Sequence, residues 1–210
     1  FGPRPADPPH LHRLRPLGRL GMAFFVPSLY PALAGFDLVH LHYPFFGGAE
    51  AVALRHTLKR NQPLVVTYHM DPLAGGLRGA LFAAYGRTVL PWLLRRAARV
   101  LVSSREYAGS SRLSRFPRLA PRLQVHPFGI DLERFHPAPA EAEAGGPVRL
   151  LFVGGLDRGH WFKGLDVLLR ALAGVGERSW RLEVVGDGEL RPRFAELARE
   201  LGLGERVVFR

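Results

Sequence analysis

Two groups of residues in this chain have the types and spacing to do chemistry. The first lies between Val148 and Arg170. There the apolar run Val148 to Val153 is broken by Gly154 and Gly155, and Asp157, Arg158, His160 and Lys163 follow. From Gly164 apolar residues recur at helical spacing, at Leu165, Leu168, Leu169 and Leu172. A strand, a glycine turn and a basic loop feeding a helix together suit a phosphate. Unpaired backbone N–H groups and the positive end of the helix dipole point into such a loop. Lys163 adds a full charge at the same place. The second group stands at the ends of two other apolar runs: His40 and His42 on one, His69 and Asp71 on the next. Side chains alternate along a strand, so His40 and His42 share a face, with His42 nearer the carboxyl end. A neutral imidazole there can bond a hydroxyl without any metal.

The remaining composition narrows that chemistry. The chain has no cysteine, which rules out disulfides, thiolate catalysis and cysteine-bound zinc and fits a reducing, cytoplasmic compartment. No further ligands can be placed beside His40 and His42, so no metal and no cofactor are expected. Asp71 reads either as a pocket residue or as a loop cap. No second acid can be paired with it in the manner of a glycoside hydrolase. Gly186-Asp187-Gly188 lacks the glycine spacing of a dinucleotide fingerprint, no Walker-type lysine loop occurs, and Ser103-Ser104 has no glycine elbow. The formal charge of +11 points to anionic partners. The plainer account is compositional bias, since Lys59 and Lys163 are the only lysines among 29 basic residues.

The elements that must position these residues follow from periodicity. Residues 1–21, rich in proline, arginine and histidine, read as an extended or loop segment. Ala23 to Val26 is a short apolar run, and Ser28 to Ala34 a weak helical patch. Asp37 to His42 reads as a strand, Gly47 to Lys59 as a helix, and Pro63 to His69 as a second strand, apolar on both faces. A long helix is predicted over Leu77 to Ala98, with a break near Pro91. Strands at Arg99 to Ser103 and Arg122 to His126 follow, with Ser104 as an N-cap between them. After the strand, loop and helix beginning at Val148 come a strand at Arg181 to Val185, a helix at Glu189 to Leu201 and a strand at Val207.

Ala, Pro, Glu and Gly dominate Pro137 to Pro147, which reads as a linker. The expected organisation is therefore an N-terminal domain over 1–136, a linker over 137–147 and the start of a second domain over 148–210. Both are α/β units with parallel sheets, whose ligands sit beyond the carboxyl ends of the strands. The absent initial methionine and the abrupt finish after Val207-Val208-Phe209 lead us to expect a fragment of a longer protein.

The order of these segments resembles glycosyltransferases of the GT-B fold, within the large retaining group called family four. The stretches that carry the resemblance are Asp37 to His42, Val65 to His69, Pro127 to Phe135, Leu151 to Asp157 with Lys163-Gly164, and Val184 to Leu190. It implies two Rossmann-like domains, the first lacking its opening unit and the second truncated, and a fragment inactive by itself. It implies a nucleotide-sugar donor on the second domain and a glycan, lipid or small-molecule acceptor on the first, with retention of anomeric configuration. By the same resemblance Lys163 grips the donor diphosphate, and His69 contacts the transferred sugar near its reacting carbon. Gly154, Gly155, Gly186, Asp187 and Gly188 border the donor, while His42, Asp71 and Gly129 line the acceptor side or the cleft.

One departure stands out. The family usually carries an arginine directly after the first glycine of the donor loop, where this chain has Gly155. Arg158 is the candidate to supply the missing charge.

Two other readings share these residues. One is a nucleotide-sugar epimerase of the same fold. The other is a non-catalytic module that uses the basic surface on anionic lipid or nucleic acid. Trp92 to Arg99 could form an amphipathic basic face for peripheral contact with the inner face of a membrane, with a solvated helix face as the plainer reading. The arginines are spread along the chain and no recognition module occurs, so no nucleic-acid partner is expected.

Overall fold

The computed structural model describes residues 8, 10–20, 23–59, 61–137, 146–176 and 179–210. The chain divides into two units, Phe1–Phe135 and His136–Arg210. Of the segment read as a linker, residues 138–145 lie outside the described residues, as do residues 1–7, 9 and 21 of the segment expected to be extended.

The first unit opens with a correction. Strand β1 (Gly18–Leu20) pairs antiparallel with β2 (Ala23–Phe25), so part of the stretch expected to be an extended or loop segment is a hairpin strand. Its cause is not local. The Phe24 and Val26 amides donate to the Phe46 and Gly47 carbonyls, which fixes β2 in place for β1 to pair with. Helix α1 (Leu29–Ala32) and a 3₁₀ turn follow.

A four-stranded parallel sheet then forms in sequence order from β3 (Val39–Tyr43), β4 (Leu64–Tyr68), β5 (Arg99–Val102) and β6 (Leu123–Val125). In β3 the pattern is buried, exposed, buried, exposed, buried. Val39, Leu41 and Tyr43 therefore pack inward, while His40 and His42 project from the other face. The inward residues pack with α2 (Ala49–Leu58) and α3 (Gly76–Arg96) around Val52, Leu64, Val66, Tyr68, Leu90, Leu93 and Leu94.

The break expected near Pro91 does not occur, because α3 runs through it. A proline here removes one bond to the carbonyl four residues back. Burial of Leu90, Leu93 and Leu94 on the sheet holds the helix together across that gap. Trp92 also turns inward: its indole N–H donates to the Thr57 hydroxyl at 2.9 Å, so it is not the exposed aromatic of a lipid-facing surface. No helix among the described residues is long and apolar enough to cross a membrane. After β5, the Ser104 hydroxyl accepts from the Tyr107 amide at 3.0 Å and caps α4 (Arg105–Ser110), as the sequence predicts.

The second unit is a three-stranded parallel sheet, ordered β7 (Val148–Val153), β8 (Trp180–Val185) and β9 (Val207–Phe209). Helices α5 (Leu165–Ala173) and α6 (Arg191–Glu200) connect its strands. Leu165, Leu169 and Leu172 of α5 pack with Trp180, Leu182 and Val184 of β8 and Ala198 of α6. Alternation along β8 and helical spacing along α5 thus meet in one core.

Candidate functional site

In the first unit the site elements gather at the carboxyl ends of β3 and β4. The strands are in register, His42 opposite Thr67 and Tyr43 opposite Tyr68, and the His69 amide extends the ladder by donating to the Tyr43 carbonyl at 3.0 Å. That register places His42 and His69 on the same face, where His42 Nδ1 lies 2.7 Å from His69 Nε2. The two rings meet edge to edge and nearly coplanar, 5.0 Å between centroids and 16° between planes. Phe128 stacks on His69 at 5.3 Å and 18°, and His40 bonds the Thr67 hydroxyl at 2.7 Å. Burial first, and then the neighbouring charge of His42, hold the His69 imidazolium below the ordinary histidine range. His40 is lowered in the same way, by burial and then by His42, His126 and His69. Both rings are therefore neutral at pH 7. A shallow recess of about 390 Å³ runs along the outer edge of β3, lined by Leu29, Leu33, His40, His42 and Phe45 among others.

Asp71, left open between pocket and cap, is committed to structure on both carboxylate oxygens. Tyr68 donates its hydroxyl to Oδ1, and the Arg112 amide donates to Oδ2 at 2.9 Å. The Arg112 guanidinium stands 3.8 Å from Oδ1, and the Asp71 amide donates to the Tyr107 hydroxyl at 2.8 Å. Burial, followed by the Asp71 bond, pushes the Tyr68 hydroxyl far above its ordinary range, so Tyr68 stays a donor. Gly129 is exposed, in a segment turned by Asp131, whose Oδ1 accepts from the Glu133 and Arg134 amides at 3.0 and 3.1 Å.

In the second unit the two glycine segments predicted to border a ligand lie against each other. The Gly154 amide donates to the Val185 carbonyl at 3.1 Å, Leu156 to Asp187 at 2.9 Å, and Leu190 to Leu156 at 2.8 Å. This approach requires glycine. A Cβ on Gly186 would sit 2.0 Å from the Gly154 oxygen, and one on Gly188 would sit 2.4 Å from the Leu156 carbonyl carbon.

Two side chains cover the opposite turn. The Lys163 stem passes over Gly154, and the His160 ring lies where a side chain on Gly155 would begin, its Nδ1 2.7 Å from that position. Gly164, left-handed at φ 72°, turns the chain into α5, and no side chain caps the helix. Lys163 thus stands directly before an uncapped helix start. Arg158, the candidate to replace an arginine at Gly155, instead pairs with Glu189 at 3.3 Å and is highly exposed. His160 is the side chain nearest that position, and its Nδ1 bonds Asp157 Oδ2 at 2.8 Å. That bond, foremost, lowers the Asp157 carboxyl. Asp187 accepts from the Gly188 amide at 2.8 Å.

Sequence reasoning missed three contacts here: Phe128 on His69, His42 to His69, and His160 over Gly155. The second could have been sought in the β3–β4 register, whereas Phe128 lies beyond the end of β6 and outside any register. The third has no local signal, because it depends on a 3₁₀ turn over Arg158–Lys163. Among the described residues no group of three or more potential ligands is placed to hold a metal ion.

Comparison with known proteins matches both units. The family model for Glycosyltransferase Family 4 covers residues 2–134, and that for Glycosyl transferases group 1 covers residues 147–210. No curated protein matches the chain. Among solved structures it is similar to the apo form of the lipopolysaccharide outer core galactosyltransferase WaaB. The TM-score is 0.61 at 17% identity, over 87% of this chain and 46% of that one. A glycosyltransferase from Rickettsia africae gives a TM-score of 0.56 at 17% identity, over 92% and 53%. A variant of TarM from S. aureus, solved with fondaparinux, α-GlcNAc-glycerol and UDP, gives 0.53 at 12% identity, over 87% and 35%. The chain therefore spans about half the length, or less, of the structures it matches. These likenesses establish the fold as GT-B, with Rossmann-like parallel sheets in both units. By the match over residues 2–134, this chain belongs to glycosyltransferase family 4.

Proposed function

We propose that the chain belongs to a retaining glycosyltransferase that moves a sugar from a nucleotide-diphosphate donor to a glycan, lipid or small-molecule acceptor. The observation that carries this reading is the second-unit turn. Gly154 lies against Gly186, and Leu156 and Asp157 against Gly188, with Lys163 over Gly154 at the uncapped start of α5. Backbone N–H groups, a helix N-terminus and a lysine at one point suit a diphosphate, whose negative charge grows as the sugar departs. They stabilise that charge without moving, which is what lowers the barrier. His69, neutral at pH 7 and stacked on Phe128, serves as hydrogen-bond partner to a hydroxyl of the transferred sugar. Asp71 is held by Tyr68 and Arg112, so no carboxylate nucleophile is assigned and the acceptor attacks from the side the diphosphate leaves. The TarM structure with UDP makes a UDP-sugar the first donor to try.

Isothermal titration of the full-length protein with UDP-, GDP- and ADP-sugars tests this reading. We expect one series to bind, and Lys163→Ala to weaken it by about 10- to 100-fold, in line with a charge-assisted contact. NMR of the product anomer then reads retention directly. Binding of none of the three, or binding untouched by Lys163→Ala, overturns the reading. Conversion of donor alone, without acceptor, would mark an epimerase instead.

A further inference from the structure

The face of the first sheet that carries His69 holds a run of rings rather than isolated polar groups. His40 and His42 lie 4.6 Å apart, His42 and His69 5.0 Å, and His69 and Phe128 5.3 Å between centroids. Within that run a single bond of 2.7 Å joins His42 Nδ1 to His69 Nε2. A bond between two imidazole nitrogens needs one to donate and the other to accept, so the tautomers of two neutral rings cannot be chosen separately.

We propose that His42 is a positioning residue for His69: it holds the ring through this bond and couples the two tautomers. His69 Nδ1 then donates when His42 Nε2 accepts, and accepts when His42 Nε2 donates. If His42 Nδ1 carries the proton of the shared bond, the His69 proton sits on Nδ1 and the outer nitrogen of His42 is bare. If His69 Nε2 carries it, both outer nitrogens reverse. While neutral, the pair always offers one donor and one acceptor. That is the pattern needed for hydroxyls, which can be either. Phe128 packs its ring on His69 as well, 5.3 Å away between centroids and 18° from parallel. The order along the face gives His42 a second position, on the rim of the recess beside β3, so direct contact with an acceptor is the competing role that the test must separate. This inference rests on the reading that His69 touches the transferred sugar.

The test pairs a spectrum with kinetics on the full-length protein labelled with ¹⁵N-histidine. Imidazole ¹⁵N shifts report the tautomer of His69 whether or not the enzyme turns over. His42→Phe keeps a flat ring and removes the bond, while His42→Asn returns a polar atom near the place of Nδ1. We expect His42→Phe to shift the His69 ring nitrogens and to lower kcat and kcat/KM together by about 10-fold, with donor affinity unchanged. His42→Asn should recover most of that loss. We further expect His69→Ala to cost about 100-fold, as loss of a positioned proton donor or acceptor does. The double variant His42→Phe, His69→Ala should then be no slower than His69→Ala alone, because residues that act through one another are non-additive.

His69 shifts unmoved by His42→Phe overturn the proposal. So do multiplying losses in the double variant, which mean that His42 meets the acceptor by itself. Full transfer activity in His69→Ala overturns the underlying reading of the site, and is recognised by being independent of the spectra.

Discussion

The two candidate site regions are built by opposite means. In the second unit the site is backbone: Gly186 and Gly188 let two loops come so close that no side chain fits at either position. In the first unit it is side chain: four rings, from His40 to Phe128, stand side by side on strand ends whose backbone is ordinary parallel ladder. A backbone site tolerates almost no substitution where it is formed, but it holds its shape without titrating. A ring site tolerates substitution in packing terms, because its residues face outward, yet its properties change with every proton. The comparison thus predicts where the molecule breaks in folding and where it breaks in chemistry.

The largest effect should come from the backbone site. In Gly188→Ala the new Cβ meets backbone atoms of Leu156 and Asp157 at 2.4 to 2.6 Å, at a residue whose φ is +153°. Backbone cannot turn aside as a side chain end can. Both the clash and the strained conformation count, so we expect at least about 3 kcal/mol of destabilisation of the second unit. Calorimetric melting reads it. A melt shifted by less than about 4 °C, the shift that 1 kcal/mol gives in a small domain, would refute the close packing of the two turns.

Next in size is the knot that supports the ring site from below. Asp71→Asn keeps the shape of the side chain but removes the charge beside Arg112 and weakens the bond from Tyr68. Breaking one member of a partly buried network of this kind costs about 2 kcal/mol. The loss belongs to the first unit and should leave donor titration untouched. Denaturant melts of the variant check the first half of that statement, and calorimetric titration checks the second.

This contrast also explains what could be read in advance. The glycine segments were legible as turns because glycine is chosen for the backbone, and the close approach at Gly186 and Gly188 leaves a local trace in residue type. Strand order, the Ser104 cap and the amphipathic face of α5 were legible for the same reason. Pro91 misled, because a local rule against proline yields to the burial of Leu90, Leu93 and Leu94 around it. The β1 strand was missed because bonds from Phe24 and Val26 to the distant Phe46 and Gly47 carbonyls hold its partner in place. The ring site was half legible. Alternation placed His40 and His42 on one face, but His42 meets His69 only through a register 27 residues apart. Phe128 reaches His69 from beyond the end of β6, and no period encodes that contact.

A smaller effect separates the regions by pH. His69 and His40 are held below their ordinary value of 6.5 by burial and by each other's neighbours. The groups facing them are His42 and His126, with Phe128 stacked on His69, and no carboxylate is among these. A histidine whose folded pKa is depressed binds protons less readily than it does in the unfolded chain. The first unit therefore keeps its full stability above about 6.5 and loses part of it as pH falls through the folded values. Melts between pH 7.5 and 5 should show the first unit weakening on acidification, and His40→Gln should flatten the slope. An unchanged slope in His40→Gln would remove that residue from the effect.

The smallest expected change lies within the second-unit turn itself, at Gly155, whose nearest neighbour is a side chain. In Gly155→Ala the added Cβ meets the His160 ring at 2.7 Å, not backbone. That ring is about half exposed and can swing into solvent, so the fold should lose less than about 1 kcal/mol, the range of a surface change. What moves with it is charge. His160 leaves Asp157, whose carboxyl then returns toward its ordinary range, because the His160 bond is the main cause lowering it. Exposed pairs of this kind add little stability, so the melt should barely shift while the ¹³C carboxyl titration of Asp157 moves upward. If Gly155→Ala instead cost as much as Gly188→Ala, the His160 ring would be part of the packed turn. The line drawn here between a backbone site and a ring site would then fall on the wrong side of Gly155.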